Sequence, residues 1–121
     1  MRHCLVVDDS RVIRKVAGAI LAELDFETGE AEDGVQALSA CRTQMPELIL
    51  LDWAIPGSNV MEFLRSLRRE QGGDRPVVVY CTTENDVARI NEAMLAGAND
   101  YVLKPYDRPA LEEKLGQVGL L

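Results

Sequence analysis

The chain has 121 residues, of which 47% are hydrophobic and 27% are charged, and these values are typical of one folded domain, not of a disordered segment. Its formal net charge of −7 argues against nucleic acid as a partner, because binding a phosphate backbone needs clustered lysine and arginine. The apolar runs are too short for a signal peptide or for the roughly 20 residues of a membrane span, so we expect a cytoplasmic protein without membrane insertion.

Short apolar segments predict five strands. In chain order they cover residues 4–7, 28–31, 48–51, 77–81 and 101–103. Four of them are almost wholly apolar, which is typical of strands buried on both faces of a sheet. The segment 28–31 is more polar and is therefore expected at a sheet edge.

Between the strands, apolar residues recur every three to four positions, which is typical of helices that bury one face. The predicted buried faces are Ile13, Val16, Ile20 and Leu24; Val35, Leu38, Cys41 and Met45; Val60, Met61, Phe63, Leu64 and Leu67; Val87, Ile90 and Met94; and Leu111, Leu115 and Val118.

Capping patterns agree with these helix positions. Asp33 and Asp107 are predicted to cap the second and fifth helices, and Thr83 with Asp86 forms a weaker pattern before the fourth. Gly97 is expected to end the fourth helix.

The fivefold alternation of strand and helix predicts an α/β fold, with a doubly wound parallel sheet covered by helices on both sides. We find no internal repeat or linker, and residues 1–121 are expected to form a single domain without an output domain. Cys4, Cys41 and Cys81 lie in apolar runs and are predicted to be buried free thiols. The single histidine, His3, is expected at the surface.

Chemically useful side chains follow four of the predicted strands. Asp8 and Asp9 end the first strand, Asp52 the third, Thr82 the fourth and Lys104 the fifth. Because open parallel sheets bind ligands beyond the carboxyl ends of their strands, we expect these residues to converge on one site.

Three carboxylates at one site are costly unless a cation relieves them, and oxygen ligands favour Mg²⁺, with Mn²⁺ as a substitute. Such a site suits phosphoryl transfer to a carboxylate. Asp52, alone at the end of the central strand, is the predicted nucleophile. Asp9, with Asp8 directly or through water, would hold the metal, and Lys104 and Thr82 would contact the phosphoryl oxygens.

Several segments at these strand ends resemble the receiver domains of two-component response regulators, most of all the stand-alone chemotaxis type. The matching residues are 5–10, 50–56, 81–84 and 97–105. The resemblance implies a flavodoxin-like (CheY-like) fold with five helices and the strand order 2-1-3-4-5.

The resemblance also implies a role for each matching residue. Asp52 would accept a phosphoryl group from a histidine kinase, and the carbonyl of Ala54 would join Asp8, Asp9 and Asp52 around the metal. Thr82 and Tyr101 would be the switch residues, and the Lys104–Pro105 peptide bond would be cis.

At the level of the whole molecule, the resemblance implies a monomeric signalling switch that catalyses only its own phosphorylation and dephosphorylation and is not otherwise an enzyme. Its downstream protein target would bind the face formed by the fourth helix, fifth strand and fifth helix.

Two positions depart from the family pattern. Val60 stands where receivers usually have glycine, and Gly57 comes three residues earlier, so the loop before the third helix is expected to turn differently. Ala54 offers no polar side chain near the phosphoacceptor. We expect Ala54 and Glu84 to set the dephosphorylation rate.

Three alternatives remain open at this stage. A phosphate sink or a phosphorelay intermediate would use the same site. A Mg²⁺-dependent phosphohydrolase would carry two aspartates separated by one residue after its first strand, whereas Asp8 and Asp9 are adjacent. A flavodoxin-like electron carrier would have a phosphate-binding loop where these two carboxylates lie.

Overall fold

Strands and helices alternate along the parts of the chain that the computed structural model describes, which are residues 2–56, 59–83 and 87–121. The elements are β1 (Arg2–Val7), α1 (Arg11–Glu23), β2 (Phe26–Ala31), α2 (Gly34–Thr43), β3 (Leu48–Asp52), α3 (Val60–Arg69), β4 (Val77–Thr82), α4 (Val87–Ala96), β5 (Asp100–Leu103) and α5 (Arg108–Gln117).

The five strands form one parallel sheet in the order β2-β1-β3-β4-β5. This confirms the α/β class and the implied strand order, and the more polar β2 lies at an edge as predicted. After β1, the chain adds β2 on one side of β1. It then adds β3, β4 and β5 in turn on the opposite side of β1, within the same sheet. The carboxyl ends of β1 and β3 therefore flank the point where the strand order reverses, which is where such sheets bind ligands.

Two apolar layers enclose the sheet. Side chains of α1 and α5 pack on one face, and those of α2, α3 and α4 pack on the other. The central strand β3 serves both layers, because Leu48 and Leu50 point to the first face while Ile49 and Leu51 point to the second. All five residues of β3 are buried, so the strand that ends in Asp52 is fixed from both sides.

The predicted buried faces are correct for α3 and α5 and partly correct for the other helices, in which Cys41 and Ile90 are buried as predicted. Val16, Val35 and Val87 are 51%, 71% and 64% exposed. The buried residues that the prediction missed are Arg14, Ala17 and Leu21 in α1; Gly34 and Ala37 in α2; and Ala93 and Ala96 in α4. Small residues face the sheet because the helices approach it closely, and a phase chosen from bulky side chains misses them.

The predicted N-caps are present at α2 and α5. Asp33 Oδ1 accepts a hydrogen bond from the Gln36 N–H at 2.8 Å, and Asp107 Oδ1 accepts one from the Ala110 N–H at 2.9 Å. Gly97 follows α4 with a φ of +131°, a conformation that favours glycine. Part of the cap predicted from Thr83 and Asp86 lies outside the described residues.

The three cysteines are buried and free, as predicted. Burial raises the pKa of Cys41 to about 11 and that of Cys81 to about 12, so both are neutral thiols at pH 7. The expectation for His3 is wrong, since its side chain is only 16% exposed and packs near Glu27. In the described parts of the chain, no helix has the length and apolarity that a bilayer crossing requires.

Candidate functional site

Three carboxylates meet at the carboxyl ends of β1 and β3. One oxygen each from Asp8, Asp9 and Asp52 lies within 4.8 Å of the others. The register that pairs Val7 with Leu51 places Asp8 beside Asp52, and both are buried while Asp9 is exposed. The strand-end argument predicts this convergence; the roles assigned to the three residues stay predictions.

Lys104 brings the end of β5 to the same place. Its Nζ lies 2.7 Å from Asp52 Oδ1 and 3.0 Å from Asp8 Oδ2. Burial lowers the pKa of this amine, but the hydrogen bonds that it donates to Asp52 and Asp8 outweigh burial and leave the pKa raised. Lys104 is therefore a charged partner of two carboxylates. Its peptide bond to Pro105 is cis, as the resemblance implies.

The Asp52 carboxyl has a raised pKa. Burial is the main cause, and the neighbouring charge of Asp8 adds to it, while hydrogen bonds from Lys104 and from the backbone of Ala54 oppose it. Lys104 and the Ala54 backbone thus offset only part of the cost of burying the negative charge of Asp52 beside Asp8. A second cation at this position would relieve the remaining repulsion.

The structure shows one residue at the site that the sequence analysis missed. Arg14 is buried in α1, and its Nη1 donates to the backbone carbonyl of Asp8 at 2.8 Å. The apolar pattern of α1 predicted a buried face of Ile13, Val16, Ile20 and Leu24, which does not include Arg14. The spacing of Arg14, Ala17 and Leu21, at three and seven residues, is the signal that identifies the true face.

The two predicted switch residues lie on β4 and β5. Thr82 is buried at the end of β4, one residue after Cys81, which pairs with Asp52 in the sheet register. Tyr101 is half-buried on β5. The Lys114 ammonium lies 5.5 Å from the centre of the Tyr101 ring and 3.1 Å from Asp100 Oδ1.

The residues expected to depart from the family pattern are only partly described. Ala54 is exposed two residues beyond Asp52, and Val60 is buried as the first residue of α3. Asn59 caps this helix by accepting the Met61 N–H at 2.8 Å, a cap that the sequence analysis did not predict. Gly57 and Glu84 lie outside the described residues.

Comparison with known proteins agrees with this geometry. The family model described as "Response regulator receiver domain" matches residues 4–116. The chain belongs to this family.

The receiver domain is 34% identical over 118 residues to the phosphate regulon transcriptional regulatory protein PhoB of Escherichia coli. That match covers 97% of this chain and 51% of PhoB, so the chain spans about half the length of the curated relatives it matches.

Among solved structures, the receiver domain resembles the chemotaxis response regulator CheY4 of Vibrio cholerae, with a TM-score of 0.92, 27% identity and 98% coverage of both chains. It also resembles the receiver domain of the sensor histidine kinase PA1611 from Pseudomonas aeruginosa, with a TM-score of 0.86, 28% identity and coverage of 96% and 95%. The PA1611 structure is described as having a magnesium ion coordinated in the active site cleft.

The acidic group of this receiver domain, formed by Asp8, Asp9 and Asp52, could hold a metal ion. Its donors are carboxylate oxygens, which suit Mg²⁺ and Mn²⁺ and are poor ligands for soft metals. Three carboxylates meet at this position, and the Lys104 ammonium contacts two of them, so negative charge remains in excess among these four side chains. The donor set and the electrostatics of the site therefore both fit a hard divalent cation.

Proposed function

We propose that this receiver domain is a Mg²⁺-dependent switch in which Asp52 accepts a phosphoryl group from the phosphohistidine of a histidine kinase. The proposal rests on the meeting of the Asp8, Asp9 and Asp52 carboxylates within 4.8 Å, with the Lys104 ammonium 2.7 Å from Asp52. This combination provides a nucleophile, a metal site and a cationic donor for phosphoryl oxygens.

In the transfer step, a carboxylate oxygen of Asp52 attacks phosphorus. The oxygen–phosphorus bond forms as the phosphorus–nitrogen bond to the donor imidazole breaks, and the departing nitrogen keeps the electron pair. Asp8, Asp9 and Asp52, with the carbonyl of Ala54, would hold Mg²⁺, which when bound supplies positive charge against the phosphoryl oxygens.

Lys104 and Thr82 stabilise the product. The Lys104 ammonium, which pairs with Asp52 before transfer, moves its hydrogen bond to a phosphoryl oxygen. The Thr82 hydroxyl donates to another, and Tyr101 on the adjacent strand β5 follows this movement. The phosphoryl group thereby shifts a population between two conformations of similar free energy.

The output is a protein contact on the α4-β5-α5 face. Leu95 and Leu103 are exposed on α4 and β5, at 90% and 45%, and Tyr101 lies half-buried on β5. The likeness to the chemotaxis response regulator CheY4 supports a regulator of the chemotaxis kind, whose downstream target would be a protein. Ala54 and Glu84 set how fast water removes the phosphoryl group.

The test is incorporation of label from a phosphorylated histidine kinase, or from acetyl phosphate as a small donor, with and without a chelator. We expect Mg²⁺-dependent labelling of the parent chain and none of Asp52→Asn. Asp107→Asn is the matched control, because asparagine also caps α5 and the residue lies outside the site. Labelling of Asp52→Asn at the parental level, or labelling that resists the chelator, would overturn the proposal.

Sustained hydrolysis of a small phosphomonoester would favour a phosphohydrolase over a switch. A phosphate sink or a phosphorelay intermediate shares the chemistry and differs in its partners. Affinity capture with and without a phosphate mimic at Asp52 separates these, since a switch recovers its target mainly in the presence of the mimic.

A further inference from the structure

A buried guanidinium lies directly behind the acidic pair. Arg14 Nη1 donates to the backbone carbonyl of Asp8 at 2.8 Å, and its Nε donates to Glu30 Oε1 at the same distance. Glu32 Oε1 is 3.7 Å from Nη2. Arg14 therefore links helix α1, the end of β1 and the edge strand β2, and its side chain is only 8% exposed.

The carbonyl that Arg14 binds belongs to the peptide group joining Asp8 to Asp9. Asp8 is otherwise well fixed, because its N–H donates to Ala31 O and its Oδ1 accepts the Ser10 N–H. Asp9 is exposed and follows this peptide group. The orientation of the peptide group sets the direction in which Asp9 leaves the strand, and hence whether its carboxylate faces Asp8 and Asp52.

Glu30, which accepts the hydrogen bond from Arg14 Nε, is itself held in place by a second side chain. Glu30 accepts a second hydrogen bond from Lys15 Nζ at 2.7 Å. The hydrogen bonds from Lys15 and Arg14 lower the pKa of the Glu30 carboxyl, so Glu30 carries its charge at neutral pH. A planar guanidinium can reach this carboxylate and the Asp8 carbonyl at once, whereas a lysine ammonium at the same position offers a single point of contact.

We propose that Arg14 is a positioning residue for the metal site, which holds the Asp8–Asp9 peptide group so that both carboxylates face Asp52. The inference rests on the proposed function, because it assigns Arg14 to the metal site that the switch requires. Partners of this kind, one shell beyond the ligands, commonly change metal affinity by about ten- to a hundredfold when they are lost.

The experiment measures metal binding directly, by loss of the free Mn²⁺ signal in electron paramagnetic resonance and by competition with Mg²⁺. The variants are Arg14→Met, Arg14→Lys and Glu30→Gln, with unfolding in urea followed in parallel. Arg42→Met is the control, since Arg42 of α2 also makes an arginine–glutamate ion pair, with Glu70 directly after α3. If the role of Arg14 were purely structural, its replacement would change the stability and leave the Mn²⁺ affinity of the folded protein unaltered.

We expect Mn²⁺ affinity to fall about tenfold or more in Arg14→Met and several-fold in Arg14→Lys and Glu30→Gln, with Arg42→Met at the parental value. Parental affinity in Arg14→Lys and Glu30→Gln would assign any effect of Arg14→Met to lost packing and overturn the inference. If the parent binds Mn²⁺ and is labelled on Asp52, such a result leaves the proposed function intact. A parent that binds no Mn²⁺ contradicts both.

Discussion

The Lys104 ammonium lies between two carboxylates, 2.7 Å from Asp52 and 3.0 Å from Asp8, so the end of β5 bridges the acidic ends of β3 and β1. In the proposed switch, this ammonium has a different partner before and after phosphoryl transfer. Its loss should therefore affect transfer more than metal binding.

Replacing Lys104 by methionine tests this difference. We expect Lys104→Met to slow phosphorylation by acetyl phosphate about a hundredfold, the usual cost of removing one donor to a developing oxyanion. Metal affinity should be equal to or higher than that of the parent, because a competing cation leaves the carboxylates. Both quantities can be measured on one sample by label incorporation and Mn²⁺ titration. Parental labelling, or loss of metal affinity, would contradict the assigned role.

The raised pKa of Asp52 predicts a dependence of stability on pH. The folded chain takes up this proton at a higher pH than the unfolded chain, so the stability associated with Asp52 falls as pH rises through the folded pKa. In metal-free buffer, Asp52→Asn should therefore be more stable than the parent at neutral pH, by about 1 kcal/mol. The gain should shrink as pH falls towards 3.8, the ordinary value of the group.

Urea unfolding of both proteins at neutral and acid pH measures this effect. Asp107→Asn serves as the control, because it changes an exposed cap without entering the site. A gain for Asp52→Asn that is the same at both pH values would show that Asp52 ionisation is not its cause.

Lys114 holds the predicted switch aromatic in its present position. Its ammonium contacts the Tyr101 ring at 5.5 Å and is itself fixed by Asp100. Lys114→Met should remove a cation–π interaction worth about 0.5 kcal/mol and thereby shift the population of Tyr101 orientations. Fluorotyrosine resonance, with Tyr101→Phe for assignment, measures the shift. Arg108→Met is the control on α5, since Arg108 pairs with Glu23 and Glu112, and an equal shift in it would refute a specific role for Lys114.

Two glycines should respond oppositely to alanine. A Cβ at Gly73 would lie 1.8 Å from the Leu67 carbonyl oxygen, so Gly73→Ala should destabilise the fold by about 3 kcal/mol. A Cβ at Gly116 in α5 meets no atom within 4 Å, and Gly116→Ala should stabilise by up to about 1 kcal/mol. The thermal unfolding midpoints of the two variants and of the parent test both predictions. Equal midpoints would show that the turn at Gly73 relaxes freely.

Local chemistry made much of the fold predictable from the sequence. A buried parallel strand must be short and apolar, and it ends where a polar residue can reach solvent or a ligand, so Asp8, Asp52 and Lys104 could be placed at strand ends. The buried face of α3 was also predicted correctly, because its apolar residues are large and only one orientation of the helix buries all of them.

Tertiary structure decided what depends on fit between distant segments. The buried face of α1 is set by small residues that pack against the sheet and by Arg14. This charged residue can be buried because the Asp8 carbonyl, Glu30 and Glu32 pair with its guanidinium. The sequence likewise predicts that Lys104 converges on one site with Asp8 and Asp52, but it does not predict that the ammonium contacts both carboxylates, because those contacts depend on how strands far apart in the chain align. Residue type is a local property, whereas the distances that join residues into a site belong to the packed sheet.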